Sequence, residues 1–144
     1  MKESIAIASD HAGYQMKLAI IKYLEGLGYK LKDFGAHTSK SANYPDFGHP
    51  LASAVEEGEY TLGISLCGSG NGINMVTNKH QGIRGALCWN KEIARLARGH
   101  NNANICSLPA RFIDLDMAKE IVDVFLGTEF EGGRHQERIE KIPV

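Results

Sequence analysis

Short apolar runs rich in β-branched residues alternate five times with helix-length segments of 3.6-residue periodicity along these 144 residues, and that alternation leaves few folds open. Residues 4–8 read as the first strand. Residues 14–27 read as the helix after it, with Leu18, Ile20, Ile21, Leu24 and Leu27 on one face and Gly28 as C-cap. A second strand follows at 29–34 and a second helix at 47–57, with Leu51, Ala54 and Val55 facing inward. The pattern continues with a strand at 62–66, a helix from Ile73, a strand at 83–88, a helix at 91–98, a strand at 104–108 and a helix at 115–126. Such βα alternation predicts an α/β fold: a single-domain, Rossmann-like three-layer sandwich spanning 1–144, with a five-stranded parallel sheet and helices on both faces. The length suits one core and is too short for a nucleotide domain plus a separate substrate domain. Residues 130–144 are polar and have no place in that sheet, so this tail is expected to pack on a partner subunit.

Charge and cysteine usage narrow the function classes. A formal net charge of -1 gives no basic excess, which disfavours nucleic acid as a partner. Cys67, Cys88 and Cys106 cannot all be paired and show no CxxC spacing, so they read as reduced thiols of a cytoplasmic protein. Met1 leads directly into a strand-like segment, and no apolar run approaches the roughly 20 residues that span a bilayer. The expectation is a protein that is neither secreted nor membrane-bound.

The third strand delivers Cys67 to a glycine loop, Gly68-Ser69-Gly70-Asn71-Gly72. Glycines at alternate positions let backbone N–H groups converge on one point, and a helix start adds its positive end, which together make an anion cradle. A helix start and neighbouring donors also favour a thiolate. The same residues equally describe a βα turn with a buried structural cysteine. After the first strand, Asp10 and His11 stand where the chain turns into a helix; Asp10 suits an N-cap, which leaves His11 unexplained. His100-Asn101-Asn102-Ala103-Asn104 follows Gly99 at a helix end, where cap and turn chemistry alone accounts for every residue. Arg134 and Arg138 are spaced to share a helical face and clamp one phosphate, with Arg111 as a third member. His11, His100 and Cys67 lack the paired spacing of a zinc knuckle, so no metal and no cofactor is expected.

Taken together, Asp10-His11-Ala12-Gly13, Cys67 with its glycine loop, His100-Asn101-Asn102-Ala103-Asn104 and Gly132-Gly133-Arg134-His135-Gln136-Glu137-Arg138 closely resemble the type B ribose-5-phosphate isomerases, a family that includes allose-6-phosphate and galactose-6-phosphate isomerases. The resemblance implies a metal-independent aldose–ketose isomerase working through an enediolate. By this resemblance Cys67 moves the proton between C1 and C2, and Ser69, where many relatives have threonine, hydrogen-bonds its sulfur. The amides of Gly68, Gly70, Asn71 and Gly72 hold the enediolate oxygens. His100 opens the furanose ring, Asp10 and Asn101 contact sugar hydroxyls, and Tyr44 lines the site. His11, Arg111, Arg134 and Arg138 hold the phosphate, some of them across the interface of a homodimer or dimer of dimers with shared sites. Some relatives place a glutamate base directly after the last loop glycine; Ile73 stands there, so the cysteine version is implied.

The expected substrate is a phosphorylated sugar, with the ribose 5-phosphate and ribulose 5-phosphate pair first and a six-carbon sugar phosphate second. A binding module without turnover is the competing class, and it has no need of Cys67 with His100. A nucleotide site is weaker still, because no Gly-Lys-Ser/Thr follows the loop.

Overall fold

Strand β1 (Ser4–Ser9) puts Ile5 and Ile7 on one face and Ala6 and Ala8 on the other, and none of the four is exposed. A strand buried on both faces belongs in the middle of a covered parallel sheet. That is its place in the computed structural model, which describes residues 2–144. Strands β2 (Lys30–Asp33), β3 (Gly63–Cys67), β4 (Gly85–Leu87) and β5 (Ile105–Pro109) join it in the order β2-β1-β3-β5-β4, all parallel. Between and after them run α1 (Tyr14–Gly26), α2 (Tyr44–Glu56), α3 (Asn71–Thr77), α4 (Lys91–Gly99), α5 (Leu115–Gly127) and α6 (Arg134–Ile139). Among the described residues no helix is long and apolar enough to cross a membrane.

The two faces of the sheet differ in bulk. Ile5, Ile7, Ile64, Leu66 and Leu108 meet α1, α4 and α5 through Ile20, Leu24, Ala94, Ala97, Ile121 and Phe125. The opposite face carries Ala6, Ala8, Gly63, Ser65 and Ser107, which let α2 and α3 lie close. A Cβ on Gly63 would stand 3.2 Å from both Leu51 and Val55. The buried hydroxyls there are satisfied in sequence: Ser107 donates to Asn74 Oδ1 at 2.9 Å, and Ser65 lies 2.6 Å from Ser107. This chain ties α3, and with it the glycine loop, to the sheet.

Two sequence expectations change. Helix α2 begins at Tyr44 rather than at residue 47, since Pro45 fits the first turn, where its missing N–H costs nothing. On α1 the inward stripe holds Ile20 and Leu24, but Leu18 and Leu27 are 40% and 42% exposed, while Lys17 is fully buried. Lys17 tolerates this because its ammonium pairs with Asp33 at 2.8 Å and donates to the Ala36 carbonyl. Residues 130–144 lie outside the sheet, and their α6 turns His135 and Ile139 inward beside the end of α4.

Candidate active site

Three strand ends meet in one cleft. Asp10 and His11 follow β1, Cys67, Gly68 and Ser69 close β3, and Arg111 and Phe112 follow β5. Tyr44, at the start of α2, and Gly72 complete a pocket of ≈ 470 Å³, within the range of small-ligand sites. It lies at the carboxyl ends of β1 and β3, where the chain's crossovers depart in opposite directions along the sheet, the usual ligand position in open α/β sheets.

The backbone around Cys67 is spent in one direction and free in the other. The carbonyls of Cys67 and Gly68 accept the N–H groups of Ala110 and Arg111 at 3.0 and 2.9 Å, which clamps the loop to the end of β5. Among the described residues the amide hydrogens of Gly68, Ser69, Gly70 and Gly72 meet no protein acceptor. Unpaired amides in a tight loop are what an oxyanion requires. Gly70 takes a left-handed φ of 77°, and a Cβ there would stand 2.5 Å from Leu87, so the turn admits only glycine. A Cβ on Gly72 would meet the Tyr44 ring at 2.6 Å, which places that ring directly against the loop.

The side chains around the loop are held individually. Asp10 is buried and accepts the Gly13 N–H at 3.1 Å; the N-cap of α1 is Gly13, so Asp10 is not the N-cap expected but pins the turn before the helix, and its carboxylate borders the cleft. His11 Nδ1 lies 3.1 Å from the N–H and 3.2 Å from the carbonyl of Ala42, contacts that fix the ring against the loop before α2. Ser69 Oγ accepts the Asn71 N–H at 3.2 Å. Among the three thiols, Cys67 alone borders this pocket. Burial, with the Cys88 thiol beside it, pushes Cys106 well up, which makes that sulfur inert at neutral pH.

The remaining expected residues gather elsewhere. His100, Asn101 and Arg138 line a second pocket of ≈ 400 Å³ between the end of α4 and α6, together with Leu96, His135, Ile139 and Ile142. His100 stacks on His135 with ring centroids 4.2 Å apart and planes 15° from parallel. Glu131 faces both rings, Oε2 at 3.5 Å from His100 Nε2 and Oε1 at 3.8 Å from His135 Nε2. Burial pushes the His135 imidazole below its ordinary value, aided by His100 and by the guanidiniums of Arg134 and Arg138, against an upward pull from Glu131. Arg134 is exposed at the start of α6 and borders neither pocket.

His100 precedes β5, whereas Cys67 ends β3 opposite the last residue of β5. The two side chains therefore leave opposite ends of the sheet, separated along β5 alone by about 13 Å at 3.3 Å per residue. Within one chain they do not form one site. Sequence reasoning also missed Phe112, 77% exposed at the cleft, and Glu131. Phe112 had a signal, since it follows a strand end directly beside Arg111, and Glu131 stands four residues before His135, a side-chain pairing interval on a helix.

The sequence pattern of the Ribose/Galactose Isomerase family matches residues 5–142. This chain belongs to that family. Its 140 aligned residues are 40% identical to the Ribose-5-phosphate isomerase B of Escherichia coli K12, covering 97% of this chain and 94% of that one. The D-erythrulose-4-phosphate isomerase of Pectobacterium atrosepticum is 41% identical over 140 residues, 96% of this chain and 92% of the relative. Among solved structures, ribose-5-phosphate isomerase B of Clostridium thermocellum superposes with a TM-score of 0.95 at 49% identity, covering 96% and 94% of the two chains. A match across nearly the full length of each makes this one member domain of the ribose/galactose isomerase family, with the fold of its solved relatives.

Proposed function

We propose that this member of the family interconverts ribose 5-phosphate and ribulose 5-phosphate in sites assembled from two chains. The observation that carries the reading is the glycine loop, where a cysteine borders a cleft beside amide hydrogens that meet no protein acceptor. Binding a phosphate needs no thiol, whereas moving a proton between adjacent carbons does need a base.

In the proposed reaction the partner's His100 transfers the proton that opens the furanose ring. Cys67, as thiolate, takes the proton from C2 of the open aldose, and the electron pair moves into the C1 carbonyl to give an enediolate. The loop amides stabilise its oxygens. Protonation of C1 by the Cys67 thiol, with the O2 proton passing to O1, yields the ketose and restores the thiolate. Asp10 stands where it can orient sugar hydroxyls, and Asn101 would do so from the other chain. His11 and Arg111 on one side, with Arg134 and Arg138 of α6 on the other, would hold the phosphate. The hydroxyl of Ser69 retains a free proton while its oxygen accepts from Asn71, so it can donate to the sulfur.

The relative that acts on a four-carbon sugar phosphate makes chain length the open variable. Initial rates of isomerisation test the assignment: ketose formation from ribose 5-phosphate and from allose 6-phosphate, and aldose formation from erythrulose 4-phosphate. Turnover of ribose 5-phosphate that is fastest of the three and undiminished by EDTA is expected. Preference for another sugar moves the substrate, and binding without turnover of any sugar overturns the isomerase.

A further inference from the structure

His100, Glu131 and His135 come from the end of α4, the loop before α6 and the first turn of α6, and their donor atoms all lie within 4.8 Å of one another. Glu131 is fixed there by its backbone, because its N–H donates to the Gly99 carbonyl at 2.9 Å, locking this loop to the end of α4. The near-parallel stacking of the imidazoles turns both Nε2 edges toward that one carboxylate, at 3.5 and 3.8 Å. A tetrahedral ion with bonds of about 2.0–2.1 Å sets its donors roughly 3.3 Å apart. Each nitrogen faces a different oxygen of that carboxylate, at spacings within about half an ångström of what such an ion needs, and closing the site takes a rotation of half-exposed His100 out of the stack that turns its Nε2 toward the ion. Two imidazoles and one carboxylate suit zinc, cobalt or nickel, whereas magnesium and calcium demand oxygen ligands.

We propose that His100, Glu131 and His135 form a binding site for a divalent transition-metal ion such as Zn²⁺, and that its occupation inhibits the enzyme by taking His100 away from the sugar. The ion is an inhibitor here, and the reaction has no need of it. Arg134 and Arg138 stand close to His135 and oppose a dication, so binding is reversible and weaker than at a structural zinc centre. Metal binding stands on the geometry alone, whereas inhibition rests on the role given to His100 above.

The test is titration of the EDTA-treated, dialysed protein with Co²⁺, followed by its visible absorption, and with Zn²⁺ by calorimetry. One ion per chain is expected, with the strong visible bands of tetrahedral cobalt and no sulfur charge-transfer band. Glu131→Gln and His135→Ala each weaken binding by at least the roughly 10- to 100-fold that even outer-shell changes cost. Glu131→Gln keeps the shape of the side chain, and so remains informative if the His135 variant folds poorly. Cys67→Ala leaves the affinity unchanged. Wild-type affinity in both the Glu131 and His135 variants, or loss of binding in Cys67→Ala, overturns the site. A matching fall in isomerase rate, restored by EDTA, supports the inhibitory half. Binding to these ligands with an unchanged rate overturns inhibition, and with it the ring-opening role of His100, while leaving the metal site in place.

Discussion

The cleft around Cys67 and the cluster around His100 are built by different means. Around Cys67 the working parts are backbone: amides of a glycine loop, clamped through the carbonyls of Cys67 and Gly68 to the end of β5 and anchored from below by Ser65, Ser107 and Asn74. Around His100 they are side chains at the end of one helix and the start of another, held by a stacked ring and a shared carboxylate. The first arrangement is rigid and suits stabilisation of a charge that develops at a fixed point. The second is adjustable, and suits delivery of a proton and a grip on a phosphate. The sheet holds the two apart in each chain, and the proposed reaction joins them across two copies of the molecule.

That division predicts unequal consequences when either half is damaged. Cys67→Ala should lower kcat by the upper part of the roughly 100- to 10,000-fold range of a lost acid–base group, while calorimetry finds sugar-phosphate affinity within a few-fold of wild type. An equal loss of affinity would merge the chemistry and the grip into one function. Arg138→Ala should act mainly on KM, raising it about ten-fold or more through the lost phosphate contact, with kcat nearly kept. An unchanged KM would make Arg138 a solvated surface residue and leave α6 outside the site.

The smallest expected effect concerns stability. The His135 imidazole is held below its ordinary value of about 6.5, so the unfolded chain binds that proton more readily than the folded one. Stability on this account is full above about pH 6.5 and falls as the pH drops from there toward the lower native value. Thermal midpoints followed from about pH 7.5 to 5.5 should fall less steeply for His135→Gln than for wild type. Identical slopes would detach the acid sensitivity from this cluster.

The same contrast governs what could be read from the sequence. The cleft is local: a β-rich run, a cysteine and glycines at alternate positions lie within a dozen residues, and parallel-sheet topology brings other strand ends beside them. Even the open question over Asp10 was a local one, and its carboxylate pins the turn before α1 and borders the cleft. The His100 cluster depends on a contact between Gly99 and Glu131, residues far apart in the chain, and on a helix of only 6 residues with two buried positions. Such a helix shows too little periodicity to announce itself. Lys17 failed for a related reason: nothing near it in sequence reveals that Asp33 and the Ala36 carbonyl wait to satisfy a buried ammonium, so Leu18 looked like the inward residue.

The most direct test mixes two inactive chains. Cys67→Ala and His100→Ala proteins, each without turnover alone, are unfolded together, refolded as a mixture and assayed on ribose 5-phosphate. If each site takes Cys67 from one chain and His100 from another, half the dimers are mixed and one of their two sites is intact, restoring about a quarter of the wild-type rate. No recovery in a mixture shown to contain mixed dimers would contradict the account, placing Cys67 and His100 in the service of one chain or leaving one of them outside the reaction.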